Sequence, residues 1–85
     1  MREFASGDII QHFKRETVDQ NSMQYLYEFI GVATHSETRD RVVVYRALYG
    51  DKGMFVRPYE MFMEEVDHDK YPEIRQKYRF EKTRK

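Results

Sequence analysis

Cysteine is absent from these 85 residues, and so is tryptophan. A secreted domain this small usually needs disulfides, so their absence points to a reducing cytoplasm. Neither sign of charge is in excess, with 15 basic and 15 acidic side chains. No apolar run approaches the roughly 20 residues needed to span a bilayer. The start, from Met1 to Asp8, has no apolar signal core. The chain therefore reads as a soluble cytoplasmic protein with no membrane partner. Proline occurs twice and glycine four times, with no repeat and no low-complexity linker. That is the organisation of one domain over residues 1–85, too short to bury two cores.

What is abundant is the aromatic ring: seven tyrosines and six phenylalanines. Large rings let a small domain bury much area with few residues. Apolar residues make up 40% and charged ones 35%, an ordinary globular composition. At about 25 cal/mol per Å² of apolar burial, a core of this size leaves only a few kcal/mol of net stability.

The zero net charge hides a segregation. Residues 60–69 hold Glu60, Glu64, Glu65, Asp67 and Asp69 without Lys or Arg. Residues 70–85 hold seven basic side chains against Glu73 and Glu81. Such a tail could contact nucleic acid. A neutral domain favours the simpler outcome, in which the tail folds against the acidic stretch.

Hydrophobic patterning predicts strands. Residues 7–14 form the first, anchored by Ile10 and Phe13. Residues 15–22 are a polar loop, long enough to suggest mobility or function. In residues 25–34 the odd positions Tyr25, Tyr27 and Phe29 make an aromatic face, with Leu26, Ile30 and Val32 opposite; Gly31 suggests a bulge. After a turn at residues 36–40, residues 41–49 alternate Val42, Val44, Arg46 and Leu48 with Val43, Tyr45, Ala47 and Tyr49. Gly50-Asp51-Lys52-Gly53 is a turn, and Met54 to Arg57 a short strand ended by Pro58. A one-turn helix at residues 59–61 precedes a last strand on Phe62, Glu64 and Val66. The cluster Met54, Met61 and Met63 with Phe62 reads as core filling. A short C-terminal helix over residues 69–80 carries Tyr71, Ile74 and Tyr78 on one face, with Phe80 as anchor, and residues 81–85 fray.

Five short strands with a one-turn helix before the last predict a mainly β fold, a small SH3-like barrel over residues 7–66. The alternative is an open antiparallel sheet packed on the C-terminal helix.

The segments Ala33-Thr34-His35-Ser36-Glu37-Thr38, Val43-Val44-Tyr45-Arg46-Ala47-Leu48-Tyr49-Gly50 and Val56-Arg57-Pro58-Tyr59-Glu60-Met61-Phe62 resemble a family of short bacterial proteins. That family is catalogued as domain of unknown function sixteen fifty-three. The tail Lys70-Tyr71-Pro72-Glu73-Ile74-Arg75-Gln76-Lys77-Tyr78-Arg79-Phe80-Glu81 resembles a subgroup from Gram-positive anaerobes. The resemblance implies a bacterial cytoplasmic protein with a small β-barrel and names no activity. Phe55 stands where many relatives carry Trp, and the loop at residues 15–22 is longer than in the shortest members.

Three constellations could carry chemistry. His35 and Glu37 can share a side of an extended chain, whereas Ser36 faces away; this gives a general base without a nucleophile, or a plain turn. His12, His35 and His68 lack ligand spacing, so no metal and no cofactor is expected. Tyr45, Arg46, Tyr49, Phe55, Arg57 and Tyr59, beside Tyr25, Tyr27 and Phe29, could form an aromatic and arginine face. Such a face stacks bases or holds an extended peptide; alternatively the rings are core. The candidate ligand-binding set is His35, Glu37, Tyr45, Tyr49, Phe55 and Arg57, with no catalytic residue. The favoured function is a non-enzymatic binding module for nucleic acid or an extended peptide. Two alternatives stand beside it. One is a small-molecule or weak hydrolytic site around His35, Glu37 and Arg57. The other is an oligomerisation or scaffold part joined through a sheet edge or residues 71–80.

Overall fold

The structure, a computed structural model, describes residues 3–83. Five strands form one antiparallel sheet: β1 (Ile9–His12), β2 (Leu26–Thr34), β3 (Arg41–Ala47), β4 (Met54–Pro58) and β5 (Phe80–Lys82), in the order β4-β3-β2-β1-β5. A 3-10 turn (Phe13–Thr17) follows β1, and α1 (Tyr59–Met63) follows β4.

The aromatic face of β2 is the buried one. Tyr27 and Phe29 pair with Ala47 and Tyr45, and all four are buried. A bulge at Ile30 then shifts the register, so that Val32 rather than Gly31 lies opposite the fully buried Val43. One extra residue reverses which parity shares the sheet face of Val43, although Val32 itself stays half exposed at the open end of the strand. Strand β2 starts one residue later than expected because Tyr25 has φ 67°, a left-handed conformation that ends the ladder. Its ring lies against His12 (5.7 Å) and Tyr49 (6.0 Å), contacts that hold this strained residue in place.

The sheet curls without closing. Tyr45 on β3 and Phe80 on β5 are three strands apart, about 14 Å in a flat sheet, yet their ring centroids are 5.4 Å apart. Phe62 of α1 fills the space between, stacked on Phe80 at 4.1 Å. The expected barrel is therefore corrected to an open sheet. The segment expected as the closing strand enters α1 at Phe62, and β5 joins the free side of β1 instead of meeting β4. The main core is Ile10, Tyr27, Phe29, Val43, Tyr45, Ala47, Phe62 and Phe80. The methionines divide: Met63 packs against this core, whereas Met54 and Met61 are exposed.

No helix forms over residues 69–80. Tyr71 and Ile74 do pack, with Phe13 and Val66, in a second small cluster. The chain then runs back along the acidic stretch. Val66 N–H donates to the Lys77 carbonyl (2.8 Å), Arg79 N–H to the Glu64 carbonyl (2.9 Å), and Arg79 pairs with the Glu64 carboxylate at 3.3 Å. Glu16 takes the place of helical hydrogen bonds by accepting from the backbone N–H of Arg75 (2.9 Å) and Gln76 (2.7 Å). Buried Gln76 donates to the carbonyls of Gln11 and Tyr78. Glu81 and Lys82, expected to fray, are paired in β5; residues 84–85 lie outside the described residues.

The loop after the 3-10 turn is also held. Buried Arg15 donates to the carbonyls of Gln20 (3.1 Å), Ser22 (3.0 Å) and Gln24 (2.8 Å). Charge-assisted donors placed on three carbonyls replace the ladder that this polar stretch cannot form.

Candidate functional site

The curl turns the two sheet edges toward each other, and a cleft of about 320 Å³ lies between them. It is lined by His12, Phe13, Lys14, Arg57, Asp67, Lys70, Tyr71 and Arg79. β4 contributes Arg57, the end of β1 contributes His12, and the approach to β5 contributes Arg79. Arg57 lies over the Phe80 ring at 5.4 Å and donates from Nε to the Tyr45 hydroxyl at 3.3 Å. In a flat sheet β4 and β5 would be about 19 Å apart.

His12 is the half-buried histidine of this site. Its ring stacks on Phe13 (4.4 Å) and meets Phe80 edge-on (5.0 Å). Its Nδ1 accepts the Lys14 backbone N–H at 3.1 Å, so the neutral ring carries its proton on Nε2. Burial, followed by the positive charges of Arg57, Lys14 and Arg79, holds its pKa down at about 4. The cleft therefore has four cations around a neutral imidazole. Its one lining carboxylate, Asp67, accepts from the backbone N–H of Asp69 (3.1 Å) and Lys70 (3.3 Å). Arg79 Nε is buried with no hydrogen-bond partner among the described residues. Tyr71 forms a wall, packed on Phe13 at 5.0 Å, with Lys70 Nζ 5.5 Å from its ring.

The residues singled out from sequence fall into two places. Tyr45, Tyr49, Phe55 and Arg57 belong to one aromatic network. Tyr45 meets Phe55 at 5.9 Å and Tyr27 at 5.1 Å, and the Tyr27 and Tyr49 hydroxyls are 2.7 Å apart. Burial and the Tyr49 hydrogen bond push the Tyr27 hydroxyl pKa up. Tyr45 is buried, Tyr49 and Arg57 are half-buried, and Phe55 is 48% exposed. Arg46 lies on the other sheet face, paired with Glu28. His35 and Glu37 sit apart in the exposed β2–β3 turn. The register places His35 two strands and three residues from Arg57, roughly 14 Å by strand spacing and rise. His35 Nδ1 accepts the backbone N–H of Glu37 (3.1 Å) and Thr38 (3.2 Å), the bonds of a turn-capping ring.

Of the residues singled out from sequence, Arg57 lines this cleft; His12, Lys14, Lys70 and Arg79 were not among them. The available signal was His12 between the apolar anchors Ile10 and Phe13, a place where a polar ring must be partly buried. No group of three or more His, Asp or Glu among the described residues is placed to hold a metal ion. No helix among them is long and apolar enough to cross a membrane.

Fold and cleft together define a small open-sheet β domain with a cationic, aromatic-walled cleft between its sheet edges. Residues 8–82 match the family described as "Protein of unknown function (DUF1653)", and the chain belongs to that family. No curated protein and no solved structure matches it.

Proposed function

We propose that the protein is a non-enzymatic binding module that seats a phosphate of single-stranded nucleic acid in the cleft between β1, β4 and β5. The observation that carries this is the charge of the cleft. Lys14, Arg57, Lys70 and Arg79 line it against the single lining carboxylate of Asp67, with Arg79 also paired to Glu64 behind it, in a chain whose charges cancel overall. Arginines recognise phosphate through paired donors, and Arg79 Nε is a buried donor without a partner. Tyr71 and the exposed Phe55 offer rings for base stacking at either side. Tyr45 and Tyr27 support the site from the core and do not touch the ligand.

The test is fluorescence anisotropy with labelled single-stranded RNA and DNA, together with amide shift mapping. Binding should weaken with salt, with a log–log slope of about −0.7 per phosphate contacted. Shifts should concentrate on His12, Arg57, Tyr71 and Arg79. Lack of binding at low salt overturns the proposal. Binding of an acidic peptide without binding of any oligonucleotide overturns the nucleic-acid assignment.

A further inference from the structure

Strand β4 is the outer strand of the sheet, and its backbone is half unused. Ala47 N–H donates to the Gly53 carbonyl at 3.0 Å, and the same register sets Tyr45 opposite Phe55 and Val43 opposite Arg57. Hydrogen-bonded and non-hydrogen-bonded pairs alternate along an antiparallel ladder. Gly53, Phe55 and Arg57 therefore turn their backbone groups toward β3, while Met54, Val56 and Pro58 turn theirs outward. Pro58 fits that outward position, where a missing N–H costs no ladder bond. The side chains along this edge are apolar and open: Met54 is 60% exposed, Phe55 48% and Val56 63%. Edge strands are usually guarded by lysines or bulges. The β3–β4 register is regular, and the one charge on β4 is Arg57.

We infer that β4 pairs antiparallel with β4 of a second copy of this chain across a two-fold axis at Val56. In this register Val56 exchanges both backbone hydrogen bonds with the partner's Val56. Met54 N–H donates to the partner's Pro58 carbonyl, but Pro58 has no N–H to return, so one backbone hydrogen bond is lost at each end of the pairing. Phe55 comes opposite the partner's Arg57 on the core-facing side, a ring beside a guanidinium. All five residues of the strand overlap. A slip of one pair toward the turn overlaps three residues. A slip the other way also overlaps three and sets Arg57 against the partner's Arg57. The symmetric register overlaps the whole strand and sets each Arg57 beside the partner's Phe55, which makes a second copy the favoured occupant. The contact is short, below the roughly 1,200 Å² of a standard stable interface, so a reversible dimer is expected. Phe55 and Arg57 serve both the dimer and the cleft, but the dimer is tested with no ligand present, so its failure and that of the cleft reading are read separately.

The test is sedimentation equilibrium over a wide concentration range. The wild-type chain should dimerise with a dissociation constant below about 1 mM. Val56→Lys and Val56→Glu each place like charges on the two-fold axis and should weaken the dimer by about tenfold or more. Mixing the two variants should restore a heterodimer. Far-UV circular dichroism checks that each variant remains folded. Independently of any variant, isotope-filtered NOEs between labelled and unlabelled wild-type copies should connect Val56 methyls across the axis. Four results would overturn the inference: a wild-type monomer at about 1 mM, a dimer indifferent to Val56→Lys, variants that do not recombine, or a monomer that instead accepts an extended peptide along β4.

Discussion

Two histidines in this chain use the same local hydrogen bond in different surroundings. At the end of β1, His12 Nδ1 accepts the backbone N–H two residues ahead. In the β2–β3 turn, His35 Nδ1 accepts the N–H two and three residues ahead. Locally the motifs are nearly the same. His35 is exposed, and its ring caps a turn. His12 is half-buried among Phe13, Tyr25 and Phe80, with Arg57, Lys14 and Arg79 around it. A capping histidine becomes a candidate functional group only when distant chain segments surround it with rings and charge.

The largest expected effect is on stability. His12→Ala removes three ring contacts from the core edge and should cost about 2–3 kcal/mol in urea unfolding. His35→Ala removes a turn cap and should cost roughly 0.5–1 kcal/mol. Similar costs for the two would break the contrast.

The next effect is pH dependence. The His12 pKa is held near 4 in the fold against 6.5 unfolded, so the unfolded state takes up a proton first as pH falls. Its contribution is complete above about pH 6.5 and lost progressively down to about pH 4. The shift corresponds to roughly 3 kcal/mol unscreened, and to on the order of 1–2 kcal/mol once partial solvent access is discounted. Asp67, Lys70 and Tyr71 line the same cleft, so the comparison that isolates His12 is wild type against His12→Gln. The variant should flatten the stability profile over this range; an unchanged profile would place the titration elsewhere.

A smaller effect concerns the neighbours. Arg57 is the first of the cations that depress His12. Arg57→Gln should move the His12 titration upward in an NMR pH series. It should also reduce the salt slope of oligonucleotide binding by about one contact. Glu37→Gln, in the other region, should do neither.

Much of the fold was legible along the chain, for identifiable reasons. Val42, Val44 and Tyr45 are strand formers in strict alternation, and the turn at Gly50 needs the left-handed φ of 59° that glycine adopts freely. Pro58 marks where β4 gives way to α1. Residues 69–80 form no helix, although Tyr71, Ile74 and Tyr78 keep helical spacing. That spacing reports which side chains are apolar, not whether the backbone finds helical partners. Here Glu16 and Gln76 supply tertiary partners instead. Arg57 stood out from its place before a proline at a strand end. The other cleft residues did not, since they converge from the two ends of the chain.

What the sequence determined by itself is local: β2, β3 and β4, the bulge signalled by Gly31, the turns, the one-turn helix and family membership. Each rests on backbone preferences and alternation within about ten residues. Only the tertiary structure decided that Ile30 would be the bulged residue and set Val32 opposite Val43, that β5 would join β1, and that Phe62 would stack on Phe80 inside an open curl. It also decided which histidine would be half-buried among rings and cations. Burial and the field of distant charges depend on what packs around a group, and no short stretch of sequence contains that information.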